Sequence, residues 1–149
     1  MNLPIVESLL KIGEVASNSG LSIKTVRYYE EIGLLSPTVV RSHTGYRLFS
    51  PRVVERLAFI KRAQALGLSL NEISEILRVH DQGQLPCGEV KHHLEEKVAA
   101  ISQQIAALET LRSELQNLLS GWQEHPPREQ ALDRICPNIQ SHHLKLEKP

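Results

Sequence analysis

The chain is short of the features on which several protein classes depend. It has two cysteines in 149 residues, which excludes a disulfide-stapled scaffold, and both thiols are expected to be reduced. No apolar run approaches the ~20 residues of a membrane span. The opening "MNLPIVESLL" carries neither the basic start nor the apolar stretch of an export signal, so a cytoplasmic location is expected. Charge of one sign is lacking as well, with 17 basic residues against 17 acidic. No Ser/His/Asp set, glycine-rich phosphate loop or paired-carboxylate motif stands out, and an enzyme is not expected.

What is present is unevenly distributed. Residues 1–80 hold 10 Lys/Arg against 7 Asp/Glu, residues 81–149 hold 7 against 10, and residues 11–62 hold 9 against 4. A basic front and an acidic back suggest that the front meets a polyanion.

The front half is punctuated like two short helices and a turn. In "LKIGEVASNSGLSIKTVRYYEEIGLL", Ile12, Val15 and Ala16 supply an apolar face, and Gly20 is suited to the left-handed cap that ends a helix. Ser22 is an N-cap candidate for a second helix, with Ile23 and Val26 three apart on its apolar side. That is the length of a helix-turn-helix. "LLSPTVVRSHTGYRLFS" breaks the helical period with Pro37 and a turn at His43-Thr44-Gly45, and predicts a short hairpin or wing. Ser50 and Pro51 are placed to start the next helix and Gly67 to stop it. Ser69 with Glu72 completes a capping box for a fourth.

Beyond "HDQGQLPCG", the residues Val90, Leu94, Val98, Ile101, Ile105, Leu108, Leu111, Leu115 and Leu118 are spaced by threes and fours. A seam kept up for about four heptads predicts a coiled coil. A helix of ~30 residues at ~1.5 Å each outruns a small domain, so the seam calls for a partner chain. Gly121 and the "HPP" at 125–127 end it.

Lys24, Thr25, Arg27 and Tyr28 sit together on the second helix, and Arg41, His43, Tyr46, Arg47 and Arg52 surround the wing. These side chains donate to phosphates or reach base edges; phosphate contacts set register, and a bidentate Arg–guanine pair adds discrimination. A coiled-coil adaptor with a basic head has the same composition, and salt-dependent binding to a palindromic promoter fragment separates the two.

The segments "IGEVASNSGLSIKTVRYYEEIGLLSP", "RSHTGYRLFS" and "LAFIKRAQALGLSLNEISEIL" together resemble the MerR family of bacterial transcription regulators, in its heavy-metal-responsive branch. The resemblance covers roughly residues 10–80 motif by motif. It implies a mainly α fold: a winged helix-turn-helix head over 10–80, a dimerisation helix over 87–121 forming an antiparallel coiled coil, and an effector loop and tail over 122–149. It also implies a homodimer that binds a near-palindromic operator in promoter DNA whose spacer is too long for RNA polymerase. Effector binding lets the dimer bend and untwist that spacer, at an elastic cost of about 1–6 kcal/mol. By the same carry-over Lys24, Thr25, Arg27 and Tyr28 enter the major groove and Arg41, Tyr46 and Arg47 belong to the wing, whereas Tyr29, Leu34, Leu35 and Leu57 form core.

The resemblance places an effector position at the start of the dimerisation helix, here Cys87 in "LPCGEV", and another in a loop beyond it, here Cys136-Pro137 in "RICPNIQSHH". Cysteine rather than serine at the first position favours a divalent ion: zinc foremost, with cadmium, lead, cobalt or mercury as alternatives. The chain departs from the family where the coil ends. The cysteine usual there is missing, Trp122 lies nearby, and the loop is longer. Two thiolates are too few for a tetrahedral shell. His125, His142 or His143 would complete it in a mixed sulfur–nitrogen set, His142 and His143 ranking level, with His92 and His93 as further candidates. A thiol-based sensor of oxidants or electrophiles, and a drug sensor with a pocket at Trp122, stand beside the metal reading.

Overall fold

A computed structural model describes residues 8–140. In order, these form helices α1 (Ile12–Ser19) and α2 (Ile23–Glu31), strands β1 (Val39–Arg41) and β2 (Arg47–Phe49), and helices α3 (Val53–Ala65), α4 (Leu70–Asp81) and α5 (Cys87–Ser120). Short 3-10 turns at Ser36–Thr38 and Arg128–Leu132 complete the set. Two compact units result, divided between Lys97 and Val98.

Local chemistry accounts for the boundaries in the first unit. The Lys11 N–H donates to Glu14 Oε1 at 3.2 Å, closing the start of α1, and Gly20 ends that helix at φ 71°. Ser22 Oγ accepts from the Thr25 N–H at 3.1 Å, a side-chain cap for one of the orphan donors of α2. Ser69 and Glu72 exchange two such bonds at the start of α4, each 3.1 Å. Gly67 takes φ 90° between α3 and α4, in the region that favours glycine. Helix α3 begins later than Pro51 suggests. Residues 51 and 52 form a turn in which Ser50 Oγ accepts from the Arg52 N–H at 3.3 Å, and regular helix starts at Val53.

The two strands pair antiparallel, with Val39 opposite Phe49, Val40 opposite Leu48 and Arg41 opposite Arg47. Leu10 adds a single antiparallel bridge to Phe49 on its other edge, through bonds of 2.7 and 2.8 Å. Phe49 is thereby fixed inside the core, where it joins Val15, Val26, Leu35, Val53, Leu57, Ile60, Ile73 and Ile76 as fully buried side chains. Tyr29 and Leu34 are buried with them, as expected for core, but Ile23 is not: at 44% exposure it faces solvent at the tip of α2. By spacing it shares a face with Val26, but as the first residue of α2 it lies where that face runs out to solvent.

Helix α5 runs 34 residues. Val90 and Leu94 pack against the core of the head, and His93 is buried, so the first turns of α5 belong to the first unit. In the second unit the apolar stripe is bare. Val98 and Leu108 are each 65% exposed, and Ile101, Ile105, Leu111 and Leu115 are about half exposed.

Candidate nucleic-acid interface and effector residues

Helix α2 separates its faces by function. Val26 and Tyr29 point into the core, and the Tyr29 hydroxyl donates to Gln64 Oε1 of α3 at 2.7 Å. That bond fixes the roll of α2 about its axis. Lys24, Arg27 and Tyr28 are consequently exposed together. Thr25 is half-buried, with its hydroxyl 2.9 Å from Ser22 Oγ, so that it both shapes the helix start and stands at the solvent edge.

The wing holds its donors on the outside. Arg41 and Arg47 are cross-strand partners, and Tyr46 is 73% exposed. Arg47 Nη1 donates to Glu30 Oε2 of α2 at 2.5 Å. An Arg retains further N–H donors beyond one such bond, so this ion pair orients the guanidinium without exhausting it. Glu30 thus links wing to helix through Arg47, and charge composition alone does not reveal it. A cleft of ≈ 920 Å³ between α1 and the wing is lined by Lys11, Glu14, Asn18, Tyr46 and Arg47 among others.

One member of the basic front does different work. Arg56 is buried, its Nε donating to the Leu34 carbonyl at 2.5 Å and its two terminal nitrogens reaching the Asp81 carboxylate at 2.6 and 2.9 Å. It binds the residues just after α2 to α3 and to the last turn of α4.

The thiols are both free; Cys87 is exposed and Cys136 half-buried. Cys87 opens α5. Cys136 precedes helical backbone at 137–140, and its N–H donates to Gln140 Oε1 at 3.0 Å. Among the described residues of one chain, no group of three or more His, Cys, Asp or Glu could hold a metal ion. His142 and His143 lie outside the described residues. His125 is exposed. His92 Nε2 lies 3.1 Å from Glu96 Oε1. His93 is buried with Nδ1 3.3 Å from Glu72 Oε2 and Nε2 3.2 Å from Glu75 Oε2, so both ring nitrogens already face α4 carboxylates. Glu72 also receives Lys97 Nζ at 3.0 Å. The Lys97 contact first, and then the Ser69 N–H, hold the Glu72 carboxyl down at about 2.

Comparison with known proteins decides the family. The pattern described as "MerR HTH family regulatory protein" matches residues 10–79, and that described as "MerR, DNA binding" matches residues 54–118. The mercuric resistance operon regulatory protein of Bacillus cereus is 39% identical over 108 residues, 72% of this chain and 81% of that one. The chain belongs to the MerR family. It is therefore a DNA-binding regulatory protein and not an enzyme. Among MerR structures, PbrR691 of Ralstonia metallidurans CH34 in complex with lead(II) aligns with a TM-score of 0.69 at 32% identity, covering 89% of this chain and 98% of that one. HiNmlR, a MerR regulator lacking the sensor domain and bound to promoter DNA, aligns with a TM-score of 0.51 at 26% identity, covering 76% and 89%. The mainly α fold with its wing and long helix is the MerR fold. No helix among the described residues is long and apolar enough to cross a membrane.

Proposed function

We propose that this MerR protein is a heavy-metal-responsive transcription regulator, acting as a cytoplasmic homodimer. The observation that carries the reading is the state of its cysteines. The chain's only two are both free thiols, one opening α5 and the other in the loop beyond it, and soft thiolates select soft and borderline ions. The lead-bound PbrR691 and the mercuric resistance regulator, both at over 30% identity, support a metal as the effector.

In this reading the head over 10–80 grips DNA, 87–121 forms an antiparallel coiled coil, and 122–149 supplies the effector loop. The exposed stripe from Val98 to Leu115 supports the coil: fully burying each such side chain is worth about 1.5–3 kcal/mol. Lys24, Thr25, Arg27 and Tyr28 enter the major groove and Arg41, Tyr46 and Arg47 hold the flanking backbone. Two-fold symmetry spaces the half-sites by whole turns of about 34 Å. Cys136 of one protomer and Cys87 of its partner share an ion, zinc foremost, with His142 or His143 completing the shell. Such a shared shell needs no three-ligand cluster within one chain. Metal binding shifts the DNA shape that the dimer favours, and the distorted spacer lets RNA polymerase engage both promoter elements.

The test is transcription in vitro from a promoter with an overlong spacer, with zinc(II) titrated. Zinc-dependent activation is expected, with little transcript from the metal-free dimer. If no ion from zinc, cadmium, lead, cobalt or mercury changes the transcript level, the effector is not a metal.

A further inference from the structure

Beyond the coil end the backbone is closed by a single side chain. The Gln123 N–H donates to Asn138 Oδ1 at 2.8 Å, and Asn138 Nδ2 donates back to the Gln123 carbonyl at 3.0 Å. One carboxamide thus satisfies both polar groups of one peptide residue, as a neighbouring strand would. Asparagine can do this because it offers a donor and an acceptor side by side; aspartate only accepts, and leucine does neither. The clasp joins positions 15 residues apart, closing a segment that also holds short-range turns and the contacts of Gln140. Its single 3-10 turn buries nothing, and Leu132 and Ile135 are 90% and 100% exposed.

A second carboxamide acts at the thiol itself. Gln140 Oε1 accepts from the Ile135 N–H at 2.8 Å and from the Cys136 N–H at 3.0 Å. Asn138 lies two residues after Cys136 and fixes the strand-like approach to Gln123; Gln140 fixes the peptide that carries the thiol. Neither residue has a group suited to a soft ion, so neither is a ligand.

We infer that Asn138 is the positioning residue of the effector loop: its clasp on Gln123 holds Cys136 in place before the ion arrives, so that the ion does not bear the cost of ordering the segment. This rests on the reading of Cys136 as an effector ligand. A loop left open distributes its thiol over many positions, and a ligand that must first select one of them binds more weakly by that fraction.

Two measurements separate the inference from that reading. In the full-length dimer, zinc(II) affinity is measured by competition with a chromophoric chelator for wild type, Asn138→Asp and Asn138→Leu. Asn138→Leu is expected to weaken binding about tenfold, equivalent to ~1.4 kcal/mol. Asn138→Asp, which keeps the bond from the Gln123 N–H and loses the other, is expected to fall between. Metal-free operator affinity and melting temperature stay at wild-type values in both. In the Cys87→Ser background, alkylation of the single remaining thiol should quicken severalfold when Asn138 is also replaced by Leu. Wild-type zinc affinity in Asn138→Leu, or an unchanged alkylation rate, overturns the clasp as a positioning device. If alkylation quickens but the wild-type dimer binds no zinc, the metal reading falls and the ordering of Cys136 by Asn138 stands.

Discussion

Replacing Asp81 by alanine tests what holds the head in shape. The Arg56 side chain is 7% exposed and meets Asp81, itself 28% exposed, through paired bonds of 2.6 and 2.9 Å. A third bond of 2.5 Å runs to the Leu34 carbonyl. Removing the carboxylate leaves a cation in place with one neutral acceptor. Breaking a buried pair from one side costs about 3–5 kcal/mol. Water reaches Asp81 in part, which puts the expected loss near the lower end, about 3 kcal/mol. Against a domain stability of about 5–15 kcal/mol that is a large share, and it corresponds to a fall in Tm of roughly 12–24 °C for a domain of this size. Urea unfolding followed by circular dichroism gives the number directly. The partner variant is Arg56→Met with Asp81→Leu, which removes both charges and is expected to recover most of the loss. A cost below ~0.5 kcal/mol for Asp81→Ala, the range of an ordinary surface change, would refute the brace.

Three further outcomes follow from particular contacts. Arg27→Ala should weaken operator binding across sequences and lower the slope of log K against log salt by about one, as loss of one phosphate contact requires; an unchanged slope in a filter or fluorescence titration would make Arg27 a bystander. Glu72 has its carboxyl held at about 2 against an ordinary 4.5, so its contribution is present above pH 4.5 and is lost as pH falls towards 2. Glu72→Gln should therefore flatten that acid limb of urea stability, and a limb of unchanged steepness would show that the Lys97 and Ser69 contacts add nothing. Ile105 is 52% exposed on the stripe of α5, and Ile105→Asp should split the dimer and abolish operator binding, because a charge mid-seam finds no partner there. Sedimentation of that variant as an undisturbed dimer would place the interface elsewhere.

Local signals were legible because they act over three or four residues. Ser22, Ser69 with Glu72, Gly20 and Gly67 mark their helix ends in sequence and do so in the structure. The spacing of apolar residues likewise indicated the core of the head and the bare stripe of α5. Pairings between distant residues were not legible. Composition counts Arg56 among the cations facing a polyanion, but its partner lies 25 residues away and the pair is internal. Arg47 and Glu30, 17 apart, and Asn138 and Gln123, 15 apart, are the same case: sequence gives the type of a polar group, and only the fold gives its partner. His93, close to Cys87 in sequence, is buried with its nitrogens 3.3 Å from Glu72 and 3.2 Å from Glu75, neighbours that its position in the sequence does not reveal.

The central claim is an ion held jointly by Cys87 of one protomer and Cys136 of the other, and mixed dimers test it most directly. Chains carrying Cys87→Ser and Cys136→Ser are co-expressed with different tags, the heterodimer is isolated, and bound zinc is counted. In a shared site each homodimer has lost both sites, but the heterodimer brings one intact Cys87 to one intact Cys136. About one tightly bound ion per heterodimer is expected, with none in either homodimer and two in the wild type. A heterodimer as empty as its parents, with two ions still held by the wild type, would place both thiols of each site within one chain and contradict the account.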